Sequence, residues 1–594
     1  MARTFPKAKT PDLKDGRSAP WIWGGIIVLA VLAAFGPVVR HEFVAWDDDI
    51  NVYQNPLLNP ATREGVKRVW TAPYLRLYIP LTYTAWAVVA RACQRGAAPS
   101  APLPPRPFHA VNLAVHVLAA LAAFLLLRRL LYAAGAPERR ASGLDAAAAF
   151  GAMLFALHPI QTEPVAWVSG LRDLLSGLGA LCALAEYTAF AVAQERRRAA
   201  VHYALATLAL VGAFLCKPSA VVVPLMAALL DHGILRRPLR RTILPLGVWC
   251  ALALAFAALT QTSQGATHIR ALVPLWARPL IAGDSLAFYL WKFAWPFGLS
   301  LDYGRPPDLV LMKGWLYYTW TVPAAALLCG WFSGERRIWT VCAGLFVAGV
   351  LPVLGFVPFL HQDMSTVADR YLYLSLLGPS LAAAWLLARR ADSESYWPWV
   401  FAAVVLAGWG VRSRVQAGVW ENTGTLFGHA VALNPDNGVT HLNLGNYLSH
   451  HGQPEEAKRH YRETLRLRPG DGLALKNMGA LLAGEGKLEE SADYFTQALV
   501  NGNPDIVASA QNALGALHNG LGHAQLRKGN IDGAIAQWSK ALAFAPDVVE
   551  LHHNLGLALL QKGRRQESVK HFQAALKLRP GFEPSRKVLS SLVP

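Results

Sequence analysis

The sequence predicts an all-α protein in two parts, a polytopic membrane domain followed by a solenoid of paired helices. Three observations carry this. Of 594 residues, 54% are hydrophobic and only 16% are charged, against roughly 25% charged in an ordinary globular domain. The apolar residues form long runs before about residue 411 and thin out beyond it. After that point a period of 34 residues appears, with glycine, small and aromatic residues at fixed positions.

The first segment, 1–20, carries Arg3, Lys7, Lys9, Lys14 and Arg17 and is expected on the cytoplasmic side. The run 21–39 then crosses outward. Its n-region is long and no small-residue cleavage site follows, so it is expected to be an anchor and not a removed leader. Short basic loops divide the rest: "LRRLLYAAGAPERR", "QERRRA", "LRRPLRR", "GERR" and "ARR". They account for much of the formal net charge of +18. Loops that keep Lys and Arg on the cytoplasmic side explain that charge without a nucleic-acid partner.

These loops order the remaining crossings. A long outer loop covers 40–107, and 110–127 returns inward. Further crossings are expected at 145–157, 172–193, 202–216, 218–232 and 243–260. The stretch 279–298 is expected to be re-entrant or interfacial, because 316–333 must start outside to reach the basic loop at Gly334–Arg337. The last crossings fall at 338–357, 371–388 and 397–411, about eleven in all, which places the C-terminus outside. The domain thus spans 21–411. The six cysteines show no metal-ligand spacing and read as small core residues.

Segment 412–437 reads as a connector holding a degenerate repeat helix, "TLFGHAVALNP", and 438–594 as the solenoid. Gly445, Gly479, Gly522 and Gly556 share one repeat position. Ala457, Ser491, Ala534 and Ser568 share a second, and Tyr461, Phe495, Trp538 and Phe572 a third. Small residues let two antiparallel helices approach, the aromatic fills the adjoining hole, and Pro469, Pro546 and Pro580 end second helices. This is the tetratricopeptide-repeat pattern. The second-to-third interval is 43 residues, so a helix near 506–519 is extended or a loop is inserted. Such solenoids bind proteins or peptides in a groove, which implies an acceptor or partner protein.

Ionisable residues at membrane depth are costly and are functional candidates. Four groups stand out, all on the outer side of the expected topology. They are Asp47, Asp48 and Asp49; His109, Asn112 and His116 on one helix face; His158, Glu163, Arg172 and Asp173; and Lys217 and Arg370, with His361 and Asp363 just before the latter. Taken singly, each has a bland reading as loop, packing or ion pair. Carboxylates gathered with separate cations instead suit a substrate with a phosphate and a reacting hydroxyl.

The stretches "FVAWDDDINVYQNP", "FHAVNLAVH", "LHPIQTEPVAWVSGLRDLLSG", "KPSAVVVPLMAALLDH" and "ADRYLYL" resemble, in that order, bacterial relatives of the transmembrane and tetratricopeptide-repeat proteins. The resemblance implies a glycosyltransferase of the GT-C fold, similar to protein O-mannosyltransferases. It would take a sugar from a polyprenyl-phosphate carrier to Ser or Thr of a protein on the periplasmic face of the inner membrane. It implies an acidic pair at Asp47 and Asp48 as catalytic residues, and Arg172, Lys217 and Arg370 as phosphate binders. Asp49, His109, Asn112, His158, Glu163 and Asp173 are supporting candidates. No cofactor or metal is expected, although adjacent carboxylates could hold a divalent cation. The partners expected are a lipid-linked sugar, an acceptor protein and membrane lipids. A silent envelope-assembly scaffold and a lipid or glycan flippase are the alternatives.

Overall fold

The structure is a computed structural model, and it describes residues 20–96, 101–134, 141–264, 273–357, 359–391 and 393–592. The basic tail 1–19, part of the proline-rich stretch near 97–100 and the basic loop residues 135–140 lie outside the described residues. The chain forms two compact units, Met1–Leu433 and Asn434–Pro594. Helices dominate both. Among the described residues the only β-pairings are the isolated bridges Leu58–Ala61 and Tyr74–Leu77.

The first unit opens with α1 (Pro20–Phe35), then α2 (Arg63–Thr71) and α3 (Pro80–Cys93), which occupy the expected outer loop. Next come α4 (Pro105–Ala133), α5 (Ala141–Leu157), the short α6 (Thr162–Ala166), α7 (Leu171–Val192) and α8 (Arg196–Cys216). They are followed by α9 (Val223–Gly233), α10 (Leu239–Gln264), α11 (Arg278–Ala294), α12 (Pro307–Met312) and α13 (Thr321–Phe332). The unit closes with α14 (Arg336–Val350), α15 (Leu377–Ala388), α16 (Trp397–Gly418) and α17 (Thr423–Leu433).

Alanine and glycine on α4, α5 and α7 let these helices pack tightly at the centre, with α8 against α7 and α15 against α5. A Cβ on Gly378 would stand 2.3 Å from the Cys342 carbonyl oxygen, so α14 and α15 touch backbone to backbone there. Six described helices are long and apolar enough to cross a bilayer, or seven if the pair bent by 49° between Leu157 and Pro159 is one span. The eleven expected crossings included α9, α13 and α15, which have 11, 12 and 12 residues. A simple span needs about 20. Cys216 and Cys342 are buried as expected, but Cys250 and Cys329 are exposed on α10 and α13.

The degenerate repeat helix expected at 425–435 is α17. It belongs to the first unit, where Phe427 meets Trp46 and His429 bonds the Leu299 carbonyl at 3.0 Å.

The second unit is built of antiparallel pairs: α18 (Gly438–His450) with α19 (Pro454–Leu467), and α20 (Gly472–Gly484) with α21 (Leu488–Asn501). Then α22 (Pro504–Arg527) pairs with α23 (Ile531–Phe544), α24 (Val549–Gln561) with α25 (Arg565–Leu578), and α26 (Glu583–Leu592) follows. A Cβ on Gly445, Gly479, Gly522 or Gly556 would meet Tyr461, Phe495, Trp538 or Phe572 at 2.7, 3.2, 2.6 or 2.8 Å. Each repeat therefore needs glycine where its aromatic ring seats. The long interval resolves as an extended helix, since α22 has 24 residues.

Candidate functional site

The site grows from the loop that follows α1. Glu42 N–H donates to the Glu421 carbonyl at 2.9 Å, and Ala45 N–H to Thr423 Oγ1 at 2.9 Å, which ties the loop to the α16–α17 corner. The three aspartates then part company. Asp47 has φ of +69° and a side chain 39% exposed, with Oδ2 3.5 Å from Arg172 Nη2. Left-handed backbone is uncommon outside glycine, although Asp and Asn tolerate it best.

Asp48 is fully buried. Its Oδ1 accepts from the Ser169 N–H at 2.8 Å and from Ser169 Oγ at 2.7 Å, and Oδ2 accepts from the Val44 N–H at 3.1 Å. Burial pushes its carboxyl up to about 7, against the pull of those donors. Asp49 begins a single wide turn and is raised by burial as well.

The partner segment is Trp167–Val168–Ser169, between α6 and α7. Trp167 is fully buried, and its Nε1–H donates to the Trp46 carbonyl at 2.7 Å. The guanidinium groups of Arg172 and Arg370 lie 4.9 and 5.6 Å from its ring. One indole thus holds the acidic loop and two cations together.

The three expected cations do converge, and each already has a carboxylate. Lys217 Nζ bonds Asp173 Oδ1. Arg370 gives Nη1 to Glu163 Oε1 at 2.5 Å, while its backbone N–H goes to Oε2 at 2.9 Å. Arg172 is the loosest of the three, 3.5 Å from Asp47 and 3.8 Å from Asp173. Asp173, Lys217, Arg370 and Tyr371 line a small cleft of about 30 Å³. His361 Nε2 lies 3.3 Å from Arg370 Nη2, and burial together with the three cations holds that imidazole well below its usual range. It is neutral and accepts. Behind it Tyr303 donates to Asp369 at 2.7 Å, and burial raises the Asp369 carboxyl to about 8.

The remaining candidates are placed as scaffold. His109 Nε2 bonds the Glu42 carbonyl at 3.1 Å, and Asn112 donates to the Trp167 carbonyl at 2.7 Å. His116 bridges the Tyr373 hydroxyl and the Ala156 carbonyl. His158 stacks on Phe293, bonds its carbonyl and caps a short turn through the Ile160 N–H. These residues hold the floor on which the charged groups stand. Sequence reasoning missed Ser169, Trp167 and Tyr371, all uncharged; an aromatic and a serine beside "GLRD" were the available signal.

Tetratricopeptide-repeat family models match residues 442–506, 522–563 and 549–582. The chain is 26% identical over 375 residues to the protein O-mannosyl-transferase TMTC4 of Mus musculus, covering 52% of this chain and 48% of that one. It is 27% identical over 417 residues to its Homo sapiens counterpart, covering 60% and 54%. The chain spans about half the length of these curated relatives. Among solved structures, the crystal structure of MamA shares 22% identity at a TM-score of 0.22, covering 28% of this chain and 94% of that one. YrrB, a TPR protein with an unusual peptide-binding site, shares 18% at a TM-score of 0.19, covering 28% and 97%. In sequence the chain is thus similar to the transmembrane and tetratricopeptide-repeat O-mannosyl-transferases, and it carries tetratricopeptide repeats within 442–582.

Proposed function

We propose that the protein is an inverting membrane glycosyltransferase of the GT-C type. It moves a sugar from a polyprenyl-phosphate carrier onto a Ser or Thr hydroxyl of a protein, with the repeats presenting that acceptor. Mannose is the sugar the named relatives suggest. The domain crosses the inner membrane about eleven times in this reading, counting shortened and broken spans, and the reaction occurs on the periplasmic side. One observation carries the chemistry. A partly exposed carboxylate, Asp47, sits against the loosest of three clustered cations, Arg172, whose other carboxylate contact, Asp173, lines the cleft with Lys217 and Arg370.

In this reading Asp47 is the base. The acceptor oxygen attacks the anomeric carbon, its proton passes to Asp47, and the bond from that carbon to the phosphate oxygen breaks with its electron pair on polyprenyl phosphate. Arg172 and Lys217 face the leaving phosphate by exchanging a carboxylate contact for it, with Arg370 behind them. Asp48 is buried with both oxygens accepting hydrogen bonds from Ser169 and Val44, and is a positioning residue for Asp47. No step calls on a metal.

The test is transfer from a polyprenyl-phosphate sugar to peptides by membranes holding the wild-type, Asp47→Asn or Arg172→Ala protein. Loss of a positioned base is worth about 10²–10⁴-fold. Equal glycopeptide yield from wild type and Asp47→Asn would end this reading.

A further inference from the structure

Outside the membrane unit, the repeats hold a side-chain set that the transferase reading does not use. Four residues before the repeat glycine stand His441, Leu475, His518 and His552. Eleven after it stand Glu456, Glu490, Gly533 and Glu567, and fifteen after it His460, Tyr494, Gln537 and His571. Only the first and fourth repeats therefore combine His, Glu and His at these positions.

The two histidine pairs are built alike. His441 and His460 face each other with Nδ1 atoms 2.8 Å apart, and His552 and His571 with theirs 3.1 Å apart. The ring planes tilt by 35° and 32°. In each pair the first histidine places Nε2 3.0 Å from a proline carbonyl, Pro435 or Pro546. A carbonyl only accepts, so Nε2 carries the hydrogen and the Nδ1 lone pair points at the partner ring. A backbone carbonyl on the far nitrogen is the arrangement that orients metal-bound imidazoles. Two imidazole nitrogens on one tetrahedral zinc stand about 3.3 Å apart, from Zn–N bonds of about 2.0–2.1 Å.

The third repeat supplies a contrast. There His518 Nδ1 meets Gln537 Oε1 at 2.7 Å, so its Nδ1 bears the hydrogen and offers no lone pair.

We propose that the first and fourth repeats each hold a divalent transition-metal ion between the facing imidazoles of their two helices, His441 with His460 and His552 with His571. Glu456 and Glu567 supply a third donor, and water completes a tetrahedron. On binding, the Nδ1 hydrogen of His460 or His571 moves through solvent to that ring's own Nε2, so both rings remain neutral and both Nδ1 lone pairs face the metal. Both carboxylates stand one turn before the second histidine on the same helix face. Among the described residues no three such side chains already converge, so each glutamate swings in on binding. Glu567 must leave Arg564, an exposed ion pair of little worth. A bound ion then staples the two helices of the outermost repeats.

The experiment uses the full chain in detergent, stripped with a chelator, dialysed against Zn²⁺ and assayed for metal by mass spectrometry. The wild type should retain about two zinc ions per chain, His460→Gln about one, and His460→Gln/His571→Gln background only. Glutamine copies the third repeat's own pairing, and far-UV circular dichroism checks that the helices remain. Glu456→Gln/Glu567→Gln alters exposed side chains only and should weaken zinc retention. Equal zinc in wild type and the double histidine variant, or none in the wild type, overturns the proposal. Unchanged retention in the double glutamate variant overturns the three-donor set.

Discussion

Replacing Asp48 by Asn tests the division of labour between the adjacent aspartates. Asp48 accepts three hydrogen bonds in a fully buried site, two at Oδ1 from Ser169 and one at Oδ2 from Val44. An asparagine keeps one oxygen. If that oxygen faces Ser169, the amide NH₂ confronts the Val44 N–H, donor against donor; turned over, it confronts both Ser169 donors. The smaller loss leaves one buried N–H unpaired, at about 1–3 kcal/mol. If the loop opens locally, that loss converts to about 5- to 150-fold faster hydrogen exchange at the Val44 and Ser169 amides. Asp47→Asn removes only a 3.5 Å contact from a half-exposed group, so exchange at those amides should match wild type while transfer is lost. Exchange measured by mass spectrometry on both variants decides it. Wild-type protection in Asp48→Asn, or equal acceleration in both, would refute the assignment of anchor and base.

Three further outcomes are expected. The folded carboxyl of Asp48 titrates at about 7, above the ordinary carboxylate range, so the folded state holds its proton more tightly than the unfolded chain. That stabilising contribution is full near pH 4 and fades as pH rises through about 7. Proteolysis of the loop 41–61 should therefore quicken between pH 5 and pH 8, and Asp48→Asn should flatten the trend. Glu163→Gln strands the buried Arg370 guanidinium at a cost of about 3–5 kcal/mol. It should lower the yield of monodisperse protein by size-exclusion chromatography, with Glu163→Gln/Arg370→Met recovering part of it. Gly378→Ala drives a methyl against the Cys342 carbonyl at 2.3 Å and should cost about 1–3 kcal/mol, read as a lower melting temperature in detergent.

The repeats were legible because their determinants are local and periodic. Glycine, small residue and aromatic recur at set intervals, and each glycine does seat its aromatic ring. Even the long interval could be narrowed to two outcomes, of which the extended α22 is the one found. The membrane unit was less legible. Hydropathy marks a long span such as α4, but not where a short one such as α15 begins. A crossing is expected from 371, yet the helix starts at Leu377, after a separate short turn at Asp369–Leu372 that sets Arg370 on Glu163. At the site, charge pointed to Asp47, Arg172, Lys217 and Arg370, which do converge. What charge could not reveal is pairing. Asp48 finds Ser169 across 121 residues, and Arg370 finds Glu163 across 207. No spacing rule reaches that far, and Trp167, which gathers both arginines, carries no charge at all.

The positive φ of Asp47 bears on how this residue should be replaced. Asparagine visits that backbone region about as readily as aspartate, whereas alanine does so at a cost of about 1 kcal/mol or more. An alanine variant would therefore confound lost chemistry with a reshaped turn. Asparagine erases the negative charge and leaves the turn alone, and glycine relaxes the turn while erasing the side chain. Comparing the three separates what the carboxylate does from what the bend does.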